Sequence, residues 1–161
     1  MYDSVYLAAR YSRRLELCEY RTALEANGIK VTSRWLNGFH QIGDDGTPIN
    51  EEGEALVEEG DNGSRTEQSA RLRLHFANED VADVRSCNVL IAFTEPPRSS
   101  ASRGGRHVEL GMALGMGKPV IVVGHRENIF CWLDCVKFVE SFEDALVELN
   151  RLQPQKSFVA P

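Results

Sequence analysis

The sequence lacks most of the patterns that settle a protein's chemistry at a glance. It has no GxGxxG turn, no Walker lysine, no HExxH helix, no nucleophile elbow and no Ser-His-Asp set, which removes the dinucleotide fold fingerprint, P-loop phosphoryl transfer, zinc proteolysis and hydrolase-type acyl transfer as ready readings. None of its four cysteines forms a CxxC pair. Cys131 and Cys135 have no matching second pair, so zinc is not expected, and Cys18 and Cys87 lie in apolar stretches that suit reduced core thiols. No apolar run approaches the ~20 residues of a membrane span. Met1-Tyr2-Asp3 opens without a signal-peptide pattern, and a cytoplasmic setting is expected. Positive charge is short as well: 18 Lys and Arg against 24 Asp and Glu leave a formal net charge of -6, which argues against a nucleic-acid polymer as partner. Repeats and low-complexity tracts are absent.

What is present is an ordinary globular composition, 42% hydrophobic and 26% charged over 161 residues, suited to one domain spanning residues 1–161. The chain is organised around residues 89–124. Val89-Leu-Ile-Ala-Phe93 has the length and residue types of a buried strand. A polar loop with Pro96 and Pro97 follows, Gly104-Gly105 opens a helix, and Gly117-Lys118-Pro119 closes it before the apolar run Val120-Ile-Val-Val123. Strand, loop, helix, strand is the unit that builds parallel sheets.

Upstream, residues 4–9 read as a first strand, with Ser12 as the expected cap of a helix carrying Leu15, Cys18, Tyr20 and Leu24. Asn27-Gly28 stops that helix, and residues 29–32 form strand two. Residues 36–62 are acidic and rich in turn formers, and are read as an excursion of lid type with a short helix near residues 52–59. Ser64 or Thr66 caps a helix through Ala70, Leu72, Leu74 and Phe76, and a second helical segment covers residues 79–86. After the central unit come a short helix or loop at residues 127–133, an edge strand at 136–139, and a closing helix capped at Ser141 with Ala145, Leu146 and Leu149 inward, ahead of a loose tail. These elements predict an α/β fold, a flavodoxin-like three-layer sandwich whose five-stranded parallel sheet has the order 2-1-3-4-5. The order reverses between strands one and three, so the loops after Ala9 and Phe93 face one crevice.

Glu109 is the first candidate for chemistry. An acid in the first turn of a helix ordinarily complements the macrodipole. Against that reading, Val108, Leu110, Met112 and Ala113 surround it with apolar positions, and a buried carboxylate needs a partner or a use. Asp80 and Asp83 reach the sheet's carboxyl edge only if their helix packs tip-first; otherwise they belong to a solvated face. Ser99, Ser100, Ser102 and Arg103, with Arg10 and Arg13 opposite, suit a phosphate, and exposed loop chemistry accounts for them equally well. Gly104 and Gly105 permit close approach of backbone to a ligand. Tyr6 ordinarily packs in the core. Trp35 and His40 suit a base-stacking wall or, more ordinarily, surface or lid packing. His107 points to another helix face than Glu109, which argues against a dyad.

Taken together, Val5-Tyr6-Leu7-Ala8-Ala9-Arg10, Asp80 followed by Asn88-Val-Leu-Ile-Ala92, and Glu109-Leu-Gly-Met-Ala-Leu-Gly-Met-Gly-Lys-Pro-Val120 resemble the nucleoside 2-deoxyribosyltransferase-like family, which includes 2'-deoxynucleoside 5'-monophosphate N-glycosidases. The resemblance implies cleavage of an N-glycosidic bond of a small nucleoside or nucleotide, by hydrolysis or base exchange, with no metal or organic cofactor. It implies Glu109 as nucleophile at the anomeric carbon, Asp80 as acid and base toward the nucleobase, and Tyr6 as orienting group. Ala9, Arg10, Ser12, Arg13, Ser102, Arg103, Gly105 and Arg106 fall where substrate is held. Family members are oligomers, and Asn128 resembles a segment donated to the neighbouring subunit. The chain departs from the family pattern at Asn88, where a second aspartate is common, in the longer loop at residues 95–103, and in Arg10-Tyr11-Ser12 in place of a small-residue turn. A non-catalytic nucleotide-binding module on the same fold, and a flavin binder of flavodoxin type, are the alternative readings.

Overall fold

A computed structural model describes residues 2–38, 67–97 and 104–152. Five strands, β1 (Ser4–Ala8), β2 (Lys30–Val31), β3 (Val89–Phe93), β4 (Val120–Val123) and β5 (Val136–Val139), form one sheet in the order β2-β1-β3-β4-β5, every pair parallel. The expected topology holds. β1, β3 and β4 are buried at every position, as strands covered on both faces must be. Their Val, Leu, Ile and Phe side chains make the centre of the core.

The helices divide between the two faces. α1 (Arg14–Ala26) and α4 (Phe142–Leu152) share one, where Tyr20 stacks on Phe142 with ring centroids 4.0 Å apart and on Phe93 at 5.2 Å. α2 (Glu67–Ser86) and α3 (Gly105–Gly115) pack together on the other. Gly104 enters α3 at φ 79°, a left-handed conformation that glycine adopts without a Cβ clash. Ser141 caps α4 as expected, accepting the Asp144 N–H at 3.1 Å.

Four expectations change in the structure. Residues 67–86 form one uninterrupted helix instead of two segments, because Ala77-Asn78 contains no breaker and Arg71–Glu67 and His75–Glu79 pair along its surface. Ser12 does not cap α1; it lies inside a 3-10 turn, Tyr11–Arg13, that lets the chain leave β1 before α1 begins at Arg14. Strand two shrinks to Lys30–Val31, and past it side chains take over the pairing: Thr32 Oγ1 donates to Val5 O at 3.2 Å, and Ser33 Oγ accepts the Leu7 N–H at 2.7 Å. Trp35, expected at the surface or in a lid, is 6% exposed and donates its indole N–H to Leu7 O at 3.0 Å, so Trp35 and Leu36 belong to the core while Arg34 and Asn37 on the same turn are exposed. His40, the acidic run, the caps at Ser64 and Thr66, Ser99, Ser100, Ser102, Arg103 and the tail lie outside the described residues.

The amino edge of the sheet is tied by polar side chains. Asn88 Oδ1 accepts from Ser4 Oγ at 2.8 Å and from the Asp3 N–H at 3.2 Å, while Lys118 Nζ donates to Arg85 O at 2.9 Å and to Cys87 O. Ser33, 2% exposed, carries the corresponding load beyond the end of β2. Ser33→Ala strands the buried Leu7 N–H, and urea denaturation is expected to show a loss of about 1–3 kcal/mol. An unchanged midpoint would mean that water replaces the hydroxyl.

Candidate active site

Strand alternation aims Tyr6, at the middle of β1, toward α2 and α3. Its ring is fully buried, and its hydroxyl donates to Glu109 Oε1 at 2.8 Å and lies 3.4 Å from Asp80 Oδ1. Two carboxylates from two helices therefore meet at one phenol from the central sheet. Both acids are partly buried, so each keeps a side open to a ligand. Glu109 is the fifth residue of α3, one turn in from the end, and no acid occupies the first turn, so complementing the dipole is not its role. Asp80 arrives from the flank of α2, well inside a long helix, and not tip-first.

Burial dominates the protonation of this group. It pushes the Glu109 carboxyl up to about 8, opposed by the Tyr6 hydrogen bond, raised further by Asp80 and opposed again by Arg106. Asp80 rises to about 6, through burial first and the Asp83 charge second. The phenol of Tyr6 is held well above its ordinary value by burial, then by Glu109 and Asp80, and stays a donor at neutral pH.

Asp83 has a separate task. It is 5% exposed and accepts from the Arg34 backbone N–H and Nε, both at 2.8 Å, while Arg34 Nη1 reaches Glu79 Oε1 at 2.9 Å. This clamp fastens the end of β2 to α2 in the turns that carry Asp80.

The expected substrate residues are placed unevenly. Ala9, Arg10 and Ser12 lie at the carboxyl end of β1, and Gly105 begins α3. Arg13 is already engaged: it forms a fork with Glu16 at 2.6 and 2.8 Å, approaches Glu95 at 3.6 Å and covers the Phe93 ring. It lines a cleft of about 360 Å³ with Glu95, His125 and Phe142, on the α1 and α4 side, apart from Tyr6, Asp80 and Glu109. Arg106, expected on substrate, is 4% exposed and paired with Glu127 through Nε at 3.0 Å and Nη2, because a guanidinium at that depth requires a carboxylate. Asn128 caps the 3-10 turn Ile129–Trp132, accepting the Phe130 N–H at 2.9 Å. Asn88 lies at the opposite edge of the sheet and takes no part in the site. His107 turns to Asn128, not to Glu109, as its helical spacing implies. Arg34 and Glu127 have no local signal in the sequence, since their partners lie 49 and 21 residues away.

A parallel α/β domain thus brings two carboxylates from two helices to one buried phenol. The family model of nucleoside 2-deoxyribosyltransferase matches residues 5–148, and the chain belongs to this family. Among solved structures, the CMP N-glycosidase BcmB of Clostridium botulinum is similar, at 21% sequence identity and a TM-score of 0.46, over 92% of this chain and 98% of that one. No curated protein matches the chain. No described helix is long and apolar enough to cross a membrane.

The raised acids make stability fall with pH. With Glu109 moved from 4.5 in the unfolded chain to about 8, the folded state binds more protons between those values, and unfolding free energy declines as pH rises through that window. Glu109→Gln has no proton to lose. Urea midpoints compared at pH 5 and pH 8 are expected to drop less in this variant than in the parent; equal drops would contradict the assignment.

Proposed function

We propose that the protein cleaves the N-glycosidic bond of a (deoxy)nucleoside 5'-monophosphate or nucleoside, with Glu109 as nucleophile, Asp80 as proton donor and then base, and Tyr6 as the group that orients them. The observation that carries this reading is the single phenol hydroxyl shared by Glu109 and Asp80. Family membership supports the bond class.

In the forward step, an ionised Glu109 oxygen forms a bond to C1' as the C1'–N bond breaks through an oxocarbenium-like transition state. The bonding electrons leave with the base, which takes its proton from Asp80. Water, losing a proton to Asp80, then attacks C1' of the glycosyl ester and frees Glu109; a second base in place of water gives transfer. With one Glu109 oxygen held by Tyr6, the other is the attacking atom. The Tyr6 hydroxyl has one hydrogen and the two acids share one proton near neutrality, which burial places on Glu109 (about 8) ahead of Asp80 (about 6) in the free enzyme. The reactive form therefore requires that proton to move from Glu109 to Asp80, which then donates toward the Tyr6 oxygen while Tyr6 donates to an ionised Glu109.

A 5'-phosphate is assigned to Arg10, Ser12 and the backbone N–H groups that open α3 at Gly105, where the dipole favours an anion. Arg13 and Arg106 drop out of this role, since carboxylates hold them. The reading as a non-catalytic module loses the support of Asn88, which serves the sheet edge.

Incubation with a panel of nucleosides and monophosphates, with and without acceptor base, tests the proposal by chromatography of free base. Release without acceptor means hydrolysis, and exchange means transfer. Glu109→Ala is expected to lower kcat by at least about 10³-fold, the scale of losing a nucleophile, with the fold intact by circular dichroism. Tight binding without cleavage in the parent would favour the module, and unchanged turnover in Glu109→Ala would remove the nucleophile.

Assembly is part of the proposal. Ile129 and Trp132 are 78% and 67% exposed beside Asn128, and Phe130 and Leu133 are exposed with them, an apolar surface suited to a second copy. Light scattering is expected to show a dimer or larger, and a monomer at micromolar concentration would refute it.

A further inference from the structure

Arg106 is the second residue of α3 and Glu109 the fifth, so they share a helix face. A guanidinium this deeply buried needs a carboxylate: among the described residues Glu127, across the loop after β4, pairs with it, while Glu109 lies one turn along the same helix. Both Glu127 oxygens are used, Oε2 accepting Nε at 3.0 Å and Oε1 accepting Nη2, and the Glu127 side chain is itself 10% exposed. The loop is fastened around this pair, with His107 Nε2 at 3.8 Å from Glu127 Oε2 and Asn128 Nδ2 at 3.3 Å from His107 Nδ1.

We infer that Glu127 is a positioning residue for the nucleophile: by holding Arg106 in a two-point pair, it keeps the guanidinium off Glu109 and leaves that carboxylate an oxygen free to attack. The inference rests on Glu109 being the nucleophile. A Glu109 forked to arginine would have both oxygens engaged and its charge neutralised, and a carboxylate in that state is a poor attacking group. With Glu127 in place, Arg106 acts on Glu109 through its field alone. Among the described residues, Tyr6 from β1, Asp80 from α2 and Arg106 from α3 bear on Glu109, while Glu127, itself approached by His107, bears on the arginine from the loop side.

The test titrates Glu109 directly, by carboxyl ¹³C shifts in glutamate-labelled protein, with Glu109→Gln to assign the resonance. Glu127→Gln, close in shape but uncharged, releases Arg106 toward Glu109. The Glu109 midpoint is expected to fall from about 8 by about 1–3 pH units, the effect of a cation brought within contact. In the same variant kcat is expected to fall at least about tenfold with KM little changed, the signature of a nucleophile quenched in the bound complex. Removing the cation too, in Arg106→Gln/Glu127→Gln, returns the midpoint to the parent value or higher. A folded Glu127→Gln with an unmoved midpoint overturns the inference, as does a double variant that stays low. If Glu127→Gln does not fold, Glu127→Asp loosens the fork while keeping the charge; a smaller fall is expected there, and no fall overturns the inference. Should the parent cleave no nucleoside or nucleotide, the proposed function fails, while the carboxyl titration still decides whether Glu127 restrains Arg106.

Discussion

The structure depends on one hydroxyl buried between two acids. Tyr6 has no exposure, and its phenol reaches Glu109 at 2.8 Å and Asp80 at 3.4 Å. Holding two carboxyls so near one another out of bulk water costs free energy, which is met by keeping protons on them. Any slip of β1 by one residue would turn Tyr6 to the other face and leave both acids without their shared donor. The register of the central strand is thus as much part of the site as the acids are.

That register is secured from both ends of β1. At the amino edge, Ser4 and Asn88 tie β1 to β3. Beyond the short β2, Thr32, Ser33 and Trp35 satisfy Val5 and Leu7, the two residues that flank Tyr6 and face the opposite way. Polar side chains therefore do for β1 what a longer partner strand does elsewhere, and each of their hydrogen bonds fixes Tyr6 from behind. The Arg34–Asp83 clamp then locks α2 to the same segment, so Asp80 and Tyr6 are positioned by a common support.

Sequence patterns reveal the sheet because its strands are local events. Val89-Leu-Ile-Ala-Phe93 and Val120-Ile-Val-Val123 announce buried parallel strands by composition, and the observed order follows from where the crossovers fall. Glu109 was legible for a similar reason, as a charge set among apolar neighbours. What was not legible depends on pairing at a distance. Asn88 looked like a substituted site residue by its place in a motif, yet the amino edge of the sheet is where it lies. Trp35 looked like a surface aromatic beside an acidic stretch, but its indole N–H found Leu7 O across the sheet. Arg13 reads as a cation for a phosphate and Arg106 as a substrate residue, and only the fold reveals the carboxylates that hold them. Composition shows the charge of a side chain; its partner is a property of the fold.

Those pairings give the site its electrostatic character. Arg34 is matched to Asp83 and Arg106 to Glu127, so the two guanidiniums whose fields reach the central cluster each carry a countercharge of their own. None of these pairs includes Tyr6, Asp80 or Glu109. Among the described residues no cation pairs with Asp80 or Glu109, so burial acts on them and the proton becomes their counterion. An acid pair balanced this way can gain or lose a proton near neutrality, whereas one clamped by arginine would remain charged throughout that range. On the proposed mechanism the arginines contribute to the site mainly through where they are held, and the carboxylates that restrain them act by leaving Asp80 and Glu109 unclamped.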